Sequence, residues 1–302
     1  MEIALDDGGS VVGECAPLPE MGGESSHHCR ETLDALQLFA KHRSPEELLQ
    51  QLDSYRDHAP AACCGVEAAL VTLMARQSRL PLNRWMSPDA PATVRVNQMV
   101  GTLDNPVIDP EGSTILKLKV GISPLKDEIE QLHKFAATIP QQSKIRLDAN
   151  QAWSMKEATE LINAINSLPI ESIEEPLQCP TLEKTQQLQE ISSFPIALDE
   201  SAAQFGIAAL LQERWLQRVV LKPTLMSGPW TTFRIARQFQ ERGVAVVITS
   251  ALESSIGILS AAHCAAAVDP QQIEAHGLAT SSWLAEDLSI APVIKNGILS
   301  IL

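Results

Sequence analysis

The sequence predicts an α/β protein, a (β/α)7β TIM-like barrel joined to a smaller α+β capping domain. Three observations lead there. From Val94 onward, short β-rich runs alternate with amphipathic segments, and repeated strand–helix alternation implies a parallel sheet with helical crossovers. Five consecutive strand candidates end in charged residues, Lys119, Asp148, Glu174, Asp199 and Lys222, in steps of 29, 26, 25 and 23 residues, each about one βα unit. The length, 302 residues, exceeds one ordinary core, so a barrel-sized domain plus a smaller one is the natural division. The capping domain is expected at 1–90 and the barrel at 91–287, with the tail 288–302 returning to the capping domain.

In chain order, the first twenty residues read as a hairpin. Apolar positions in Met1–Leu5 and Ser10–Cys15 flank Asp6-Asp7-Gly8-Gly9, which supplies the positive-φ residues of a tight turn. Pro17 and Pro19 close the second strand. Helical patterns follow at 24–40, 45–54 and 61–78, and Pro81, Pro88 and Pro91 mark the next boundary. The predicted barrel strands are Val94–Met99, Ile115–Val120, Lys144–Asp148, Ser172–Glu174, Ile196–Asp199, Arg218–Leu221 and Val244–Thr249, with a weaker one near Ile273–His276. Helices are expected between them at 126–139, 156–167, 182–192, 204–213, 230–242 and 256–268.

Composition narrows the function classes. A hydrophobic fraction of 45% and a charged fraction of 20% are those of a globular protein. The formal net charge of −14 argues against nucleic acid or an anionic membrane as partner, since both are polyanions. The six cysteines include no C-x-x-C pair and read as reduced thiols of a cytoplasmic protein. No signal-peptide pattern and no membrane-length apolar run is visible. Oligomeric state is left open.

The charged strand ends carry the chemistry. One acidic residue at a strand end is commonly a helix cap, but five charged ends in register are expected to meet at the rim where barrel active sites lie. Asp148, Glu174 and Asp199 would bring three carboxylates together, which mutual repulsion opposes unless a cation or protons intervene. Oxygen-only donors select a hard cation, Mg²⁺ or Mn²⁺ in its place. Lys119 and Lys222 would face the substrate from opposite sides of the barrel mouth, and a lysine near other cations and partly desolvated loses proton affinity and can act as a base. A base beside Mg²⁺ suits removal of a proton α to a carboxylate, so a small carboxylate is the expected substrate class.

Other residues have two readings each. Lys117, two before Lys119, points to the same side; it holds a substrate carboxylate and tunes Lys119, or it is a structural lysine of the barrel lining. Glu175 and Glu200 alternate away from the mouth and are expected to support the ligands by pairing with a lysine. Trp153 walls the pocket or packs on the next helix. Ser250, Glu253, Ser254 and Ser255 bind substrate oxygens or cap the following helix. His263 is expected to be a packed residue.

The motifs K-L-K-V-G at 117–121, L-D-A-N-Q-A-W at 147–153, I-E-E-P at 173–176, L-D-E-S at 198–201 and L-K-P at 221–223 resemble the muconate-lactonizing subgroup of the enolase superfamily. T-S-A-L-E-S-S-I-G at 249–257, G-L-A-T at 277–280 and E-C-A-P-L-P at 14–19 are similar to the o-succinylbenzoate synthase family in particular. The resemblance implies that Asp148, Glu174 and Asp199 bind Mg²⁺, that Lys119 is the acid/base and that Lys222 lies opposite; Lys117, Asn150, Ser250 and Ser254 are the candidate substrate-binding residues. It implies a lyase that dehydrates 2-succinyl-6-hydroxy-2,4-cyclohexadiene-1-carboxylate to 2-succinylbenzoate, in menaquinone or phylloquinone biosynthesis. That family begins with a further strand and a substrate-covering loop, so an N-terminally shortened capping domain is expected. The same ligands and lysines also serve an N-acylamino acid racemase or dipeptide epimerase and, less well, a cycloisomerase. A catalytically silent barrel used for binding is the reading from another class, and the intact lysine pair counts against it.

Overall fold

The computed structural model describes residues 1–4, 9–40 and 43–301. The expected hairpin is present: β1 (Glu2–Ala4) pairs antiparallel with β2 (Ser10–Val12), Glu2 opposite Val12. Residues 5–8 of the predicted turn lie outside the described residues. Helices α1 (Ser26–Ala40), α2 (Pro45–Leu52) and α3 (Pro60–Gln77) follow, then a five-residue α4 (Leu82–Met86) that is too short to announce itself by periodicity. α2 opens on a capping box, Ser44 accepting from the Glu47 amide while the Glu47 side chain takes the Ser44 amide. α3 is buried on nearly every face because β2 and α2 cover one side and the barrel the other. Its crossing with the hairpin depends on glycine: a Cβ on Gly65 would meet the Cys15 sulfur and the Glu14 carbonyl, and one on Gly13 the Gly65 carbonyl.

The barrel sheet has seven parallel strands in sequence order. They are β4 (Gln98–Thr102), β5 (Ile115–Lys119), β6 (Lys144–Asp148), β7 (Ile170–Glu174), β8 (Ile196–Leu198), β9 (Arg218–Leu221) and β10 (Ala245–Ile248). The crossovers carry α5 (Leu125–Thr138), α6 (Met155–Ile165), α7 (Leu182–Ile191), α8 (Glu200–Phe205), α9 (Ile207–Leu210), α10 (Pro229–Gln240) and α11 (Ser255–Val268). Outward apolar residues of the strands pack on these helices in two large clusters, one centred on β5–β7 and the other on β8–β10.

The structure differs from the prediction at four places. The run Val94–Met99 divides: β3 (Thr93–Arg95) leaves the barrel to pair antiparallel in a second small sheet, and β4 begins only at Gln98. The eighth strand expected near Ile273–His276 is reduced to bridges, Val96 with His276 and Thr249 with Gly277. Those bridges close the ring, with the Asn97 amide donating to the His276 carbonyl at 2.9 Å and the Gly277 amide to that of Ile248 at 2.9 Å. The helix expected at 204–213 breaks into α8 and α9 at Gly206, whose φ of 82° a continuing helix does not tolerate. Within the tail, β11 (Ile294–Lys295) and β12 (Ile298–Ser300) form a hairpin on β3, which lies on the barrel side of the expected boundary. β3 offers a free edge there, having left the barrel sheet.

Strand alternation sorts the barrel interior into levels. At the base, Arg146 donates to the Glu171 carboxylate through Nε and a terminal nitrogen, both at 2.9 Å, and to the Ala275 carbonyl at 2.8 Å. Arg218 pairs with the same Glu171 and with Glu274 at 2.9 Å. Ala197, Val220 and Val247 form a small apolar cluster nearby, and Arg146 itself lies 3.8 Å from Glu174 at the charged ends of the strands.

Candidate active site

The register of the sheet puts the predicted charges side by side. Lys119 is the partner of Asp148 across β5–β6, and Asp148 that of Glu174 across β6–β7. Asp199 and Lys222 each directly follow a barrel strand, β8 and β9. The Lys117 ammonium bridges two carboxylates, reaching Asp148 at 3.0 Å and contacting Glu174, while Lys222 contacts Asp199. Lys119 makes no ion pair among the described residues, although its charge acts on Asp148. All five strand ends of the prediction therefore share one rim, and Lys117 joins them.

Burial and charge oppose each other here. Burial pushes the Glu174 and Asp199 carboxyls above their ordinary range, with Lys117 and Lys222 pulling the other way. For Asp148 the lysines win: burial alone would raise it, but Lys117 and Lys119 hold it low. Lys222 lies above the usual lysine value, opposite to the depression expected, because its nearest charge is the Asp199 carboxylate rather than another cation. Lys117 is raised in the same way by Glu174 and Asp148 against its burial.

The supporting residues differ from expectation in their partners. Glu175, with φ of 44°, accepts from the Asp199 amide at 2.7 Å and from the Ser201 amide and hydroxyl at 2.9 and 2.6 Å. It thus fixes the backbone of Asp199 instead of pairing with a lysine, and burial lifts its carboxyl to about 7. Glu200 accepts from the Asn150 side chain at 2.9 Å, again in place of a lysine. Asn150 has φ of 39°, a conformation asparagine tolerates better than most side chains. Trp153 is buried among the apolar residues around β5–β7, so packing is its role. His263 is packed as expected, beside Asn83.

The serines after β10 divide. Ser250 donates to the Gly277 carbonyl at 3.0 Å and lies 2.8 Å from the Thr280 hydroxyl. Ser254 caps α11, accepting from the Ile256 amide, and donates its hydroxyl to Glu14 at 2.5 Å. Glu14 also takes the Ser254 and Gly257 amides at 2.9 and 2.8 Å, so a capping-domain carboxylate caps a barrel helix. The motif at 14–19 contains Glu14 without revealing this contact, and residue types alone do not reveal the Arg146–Glu171–Arg218 layer. Arg146 carried a usable signal, since it lies two residues before Asp148 and faces the same interior. Glu253 is buried, takes the Thr224 hydroxyl at 2.6 Å and leaves its other oxygen without a partner among the described residues.

The donor chemistry fits a hard divalent cation: Asp148, Glu174 and Asp199 offer oxygen only, with burial holding Glu174 and Asp199 above their ordinary proton affinity. Their oxygens face the lysine ammonium groups. Among the described residues, no three carboxylates, histidines or thiols converge as a metal cluster.

Barrel, rim and lysine pair together define an enzyme of the enolase superfamily. The family described as Enolase C-terminal domain-like matches residues 105–301. The o-succinylbenzoate synthase of Aliivibrio fischeri is 31% identical over 96% of this chain and 87% of its own length. The chain belongs to the o-succinylbenzoate synthase family of that superfamily. An L-amino acid-D/L-Glu epimerase of Sulfurimonas denitrificans is 26% identical over 88% of this chain and 80% of its own. Among solved structures, the dipeptide epimerase of Enterococcus faecalis complexed with Mg and the dipeptide L-Leu-L-Tyr superposes with a TM-score of 0.85. It is 24% identical and covers 99% of this chain and 87% of its own. No described helix is long and apolar enough to cross a membrane.

Proposed function

We propose that this protein dehydrates 2-succinyl-6-hydroxy-2,4-cyclohexadiene-1-carboxylate to 2-succinylbenzoate, a step of menaquinone or phylloquinone biosynthesis. The observation that carries the reading is the rim itself. Lys119 and Lys222 belong to opposite parts of one ring that also holds three carboxylates on consecutive strands, in a chain 31% identical to an o-succinylbenzoate synthase. Asp148, Glu174 and Asp199 would hold Mg²⁺, or Mn²⁺ in its place. When bound, the cation supplies positive charge for the enediolate that forms as the substrate carboxylate loses its α-proton.

The rest falls to the chain's own side chains. Lys119, without an ion-pair partner among the described residues, removes the proton from C1 as the base. The resulting ammonium then protonates the departing C6 hydroxyl, so one residue acts first as base and then as acid on one face. Lys222 stays protonated, as its Asp199 contact favours, and stabilises the developing negative charge from the other face. Lys117 keeps positive charge between Asp148 and Glu174, and Glu175 fixes the backbone that presents Asp199.

The test is Mg²⁺-dependent conversion of the cyclohexadiene substrate, followed by the absorbance of the aromatic product. Absence of turnover with saturating Mg²⁺ refutes the reading. The epimerase relatives favour one competitor, a racemase or dipeptide epimerase using a base on each face. Deuterium exchange at the α-carbon of N-succinylamino acids and of dipeptides, without dehydration, would move the assignment there.

A further inference from the structure

The loop that leads from Lys222 to α10 is held by the capping domain, not by the barrel alone. Within it, the Leu225 and Met226 amides both donate to the Lys222 carbonyl at 2.9 Å, and the Gly228 amide donates to the Pro223 carbonyl at 2.9 Å. Ser227 sits at φ of 68° and Gly228 at φ of 137°, so this turn occupies backbone conformations it does not choose by itself. Two capping-domain residues grip it. The Arg56 guanidinium donates to the Ser227 carbonyl at 3.0 Å, and the Ser227 hydroxyl donates back to the Arg56 carbonyl at 3.1 Å. Glu67, on α3 and fully buried, accepts the Thr231 amide at 2.9 Å and its hydroxyl at 2.6 Å. Arg56 and Glu67 are themselves joined at 2.9 Å, and a Cβ on Gly228 would collide with the Glu67 carboxylate.

We propose that the Arg56–Glu67 pair, half-buried at Arg56 and fully buried at Glu67, is a positioning element for Lys222, fixing the 222–231 turn so that the lysine is presented to the rim. The proposal rests on the role given to Lys222 above. Its physical content is that one face of the turn is supplied by another domain. Arg56 spans three acceptors, Asp53, Glu67 and the Ser227 carbonyl, as only a guanidinium fork does. Glu67 in turn caps the first turn of α10, which begins directly after the loop. Loss of Arg56 leaves the buried Glu67 carboxylate without its counterion, and loss of either partner releases the turn from the side remote from the substrate.

The experiment compares the wild-type protein with Glu67→Gln and Arg56→Lys by amide hydrogen exchange and by kinetics. Glu67→Gln keeps the shape; Arg56→Lys keeps the charge and serves where Glu67→Gln does not fold. Exchange is expected to accelerate by about tenfold or more in the peptide covering 222–232, with peptides from 144–176 unchanged. For the dehydration, kcat is expected to fall about tenfold with KM changed by less than about threefold, the signature of a displaced catalytic group rather than lost binding. Unchanged exchange in 222–232 overturns the proposal. So does an acceleration spread equally over the barrel, or faster local exchange with unaltered kcat. If wild-type protein does not dehydrate the substrate, the proposed reaction falls, and the exchange measurement still decides the anchor.

Discussion

Arg146→Leu tests whether the ionic layer at the barrel base is a necessary part of this interior. Arg146 is fully buried and makes three hydrogen bonds, two of them charge-assisted and directed at Glu171, and it lies 3.8 Å from Glu174. Leucine removes all three and adds apolar surface, but Glu171 keeps only Arg218 as cationic partner. Breaking a buried pair by removing one side costs about 3–5 kcal/mol, and charge-assisted bonds at about 1.5–3 kcal/mol each give the same range. The midpoint of thermal unfolding is then expected to drop by about 10 °C. Urea unfolding at neutral pH measures the loss directly. A second readout follows from Glu171, whose carboxyl Arg146 and Arg218 hold well below its ordinary value of 4.5 against its burial. A depressed carboxyl contributes stability that is present above the unfolded value and lost as pH falls. The gap between wild type and variant is therefore expected to narrow below about pH 4.5. A loss under about 1 kcal/mol at neutral pH would refute the reasoning, because surface pairs are worth that much.

Three further outcomes follow from the site and the barrel seam. Lys119→Ala is expected to lower dehydration by more than about 10⁴-fold, whereas Lys222→Arg, which keeps charge but not an available base, retains measurable turnover; equal inactivity of the two refutes the one-base mechanism. Asp148→Ala is expected to weaken Mg²⁺ binding by calorimetry at least about tenfold, and unchanged binding removes Asp148 from the ligand set. His276, at the barrel seam, accepts the Ile248 amide on Nδ1 at 3.0 Å; burial, aided by Arg146, Arg218 and Arg95, lowers it from 6.5 to about 3. Its contribution to stability is complete above about pH 6.5 and lost toward pH 3, by up to about 1.4 kcal/mol per pH unit, so His276→Gln is expected to flatten acid unfolding in that window; an unchanged slope would count against it.

The barrel was legible because its units repeat. Five consecutive strands end in a charged residue, and the even steps from Lys119 to Lys222 announce a shared rim. What stayed hidden depends on partners far away in sequence. Val94–Met99 reads as one strand, and only the tail hairpin draws Thr93–Arg95 out of the barrel. The seam at His276–Gly277 consists of single bridges, too short to leave a periodic pattern. Within the site, residue types gave the members of the ring but not their pairing. That Lys117 sits between Asp148 and Glu174, or that Glu175 holds the Asp199 backbone, is settled by register and by a positive φ. Glu14 opens the E-C-A-P-L-P motif, but nothing local to it announces that it caps α11 from 240 residues away in sequence.

The charge stoichiometry of the rim has a consequence for what it admits. With Lys119 acting as the base, two ammonium groups, Lys117 and Lys222, stand among three carboxylates, Asp148, Glu174 and Asp199, so the ring carries one formal negative charge within a chain carrying −14. A divalent cation would reverse that sign to one positive charge. Before the cation the rim repels a carboxylate, and after it the rim attracts one. Cation first and substrate second is the order this balance favours, before any shape of the pocket is felt.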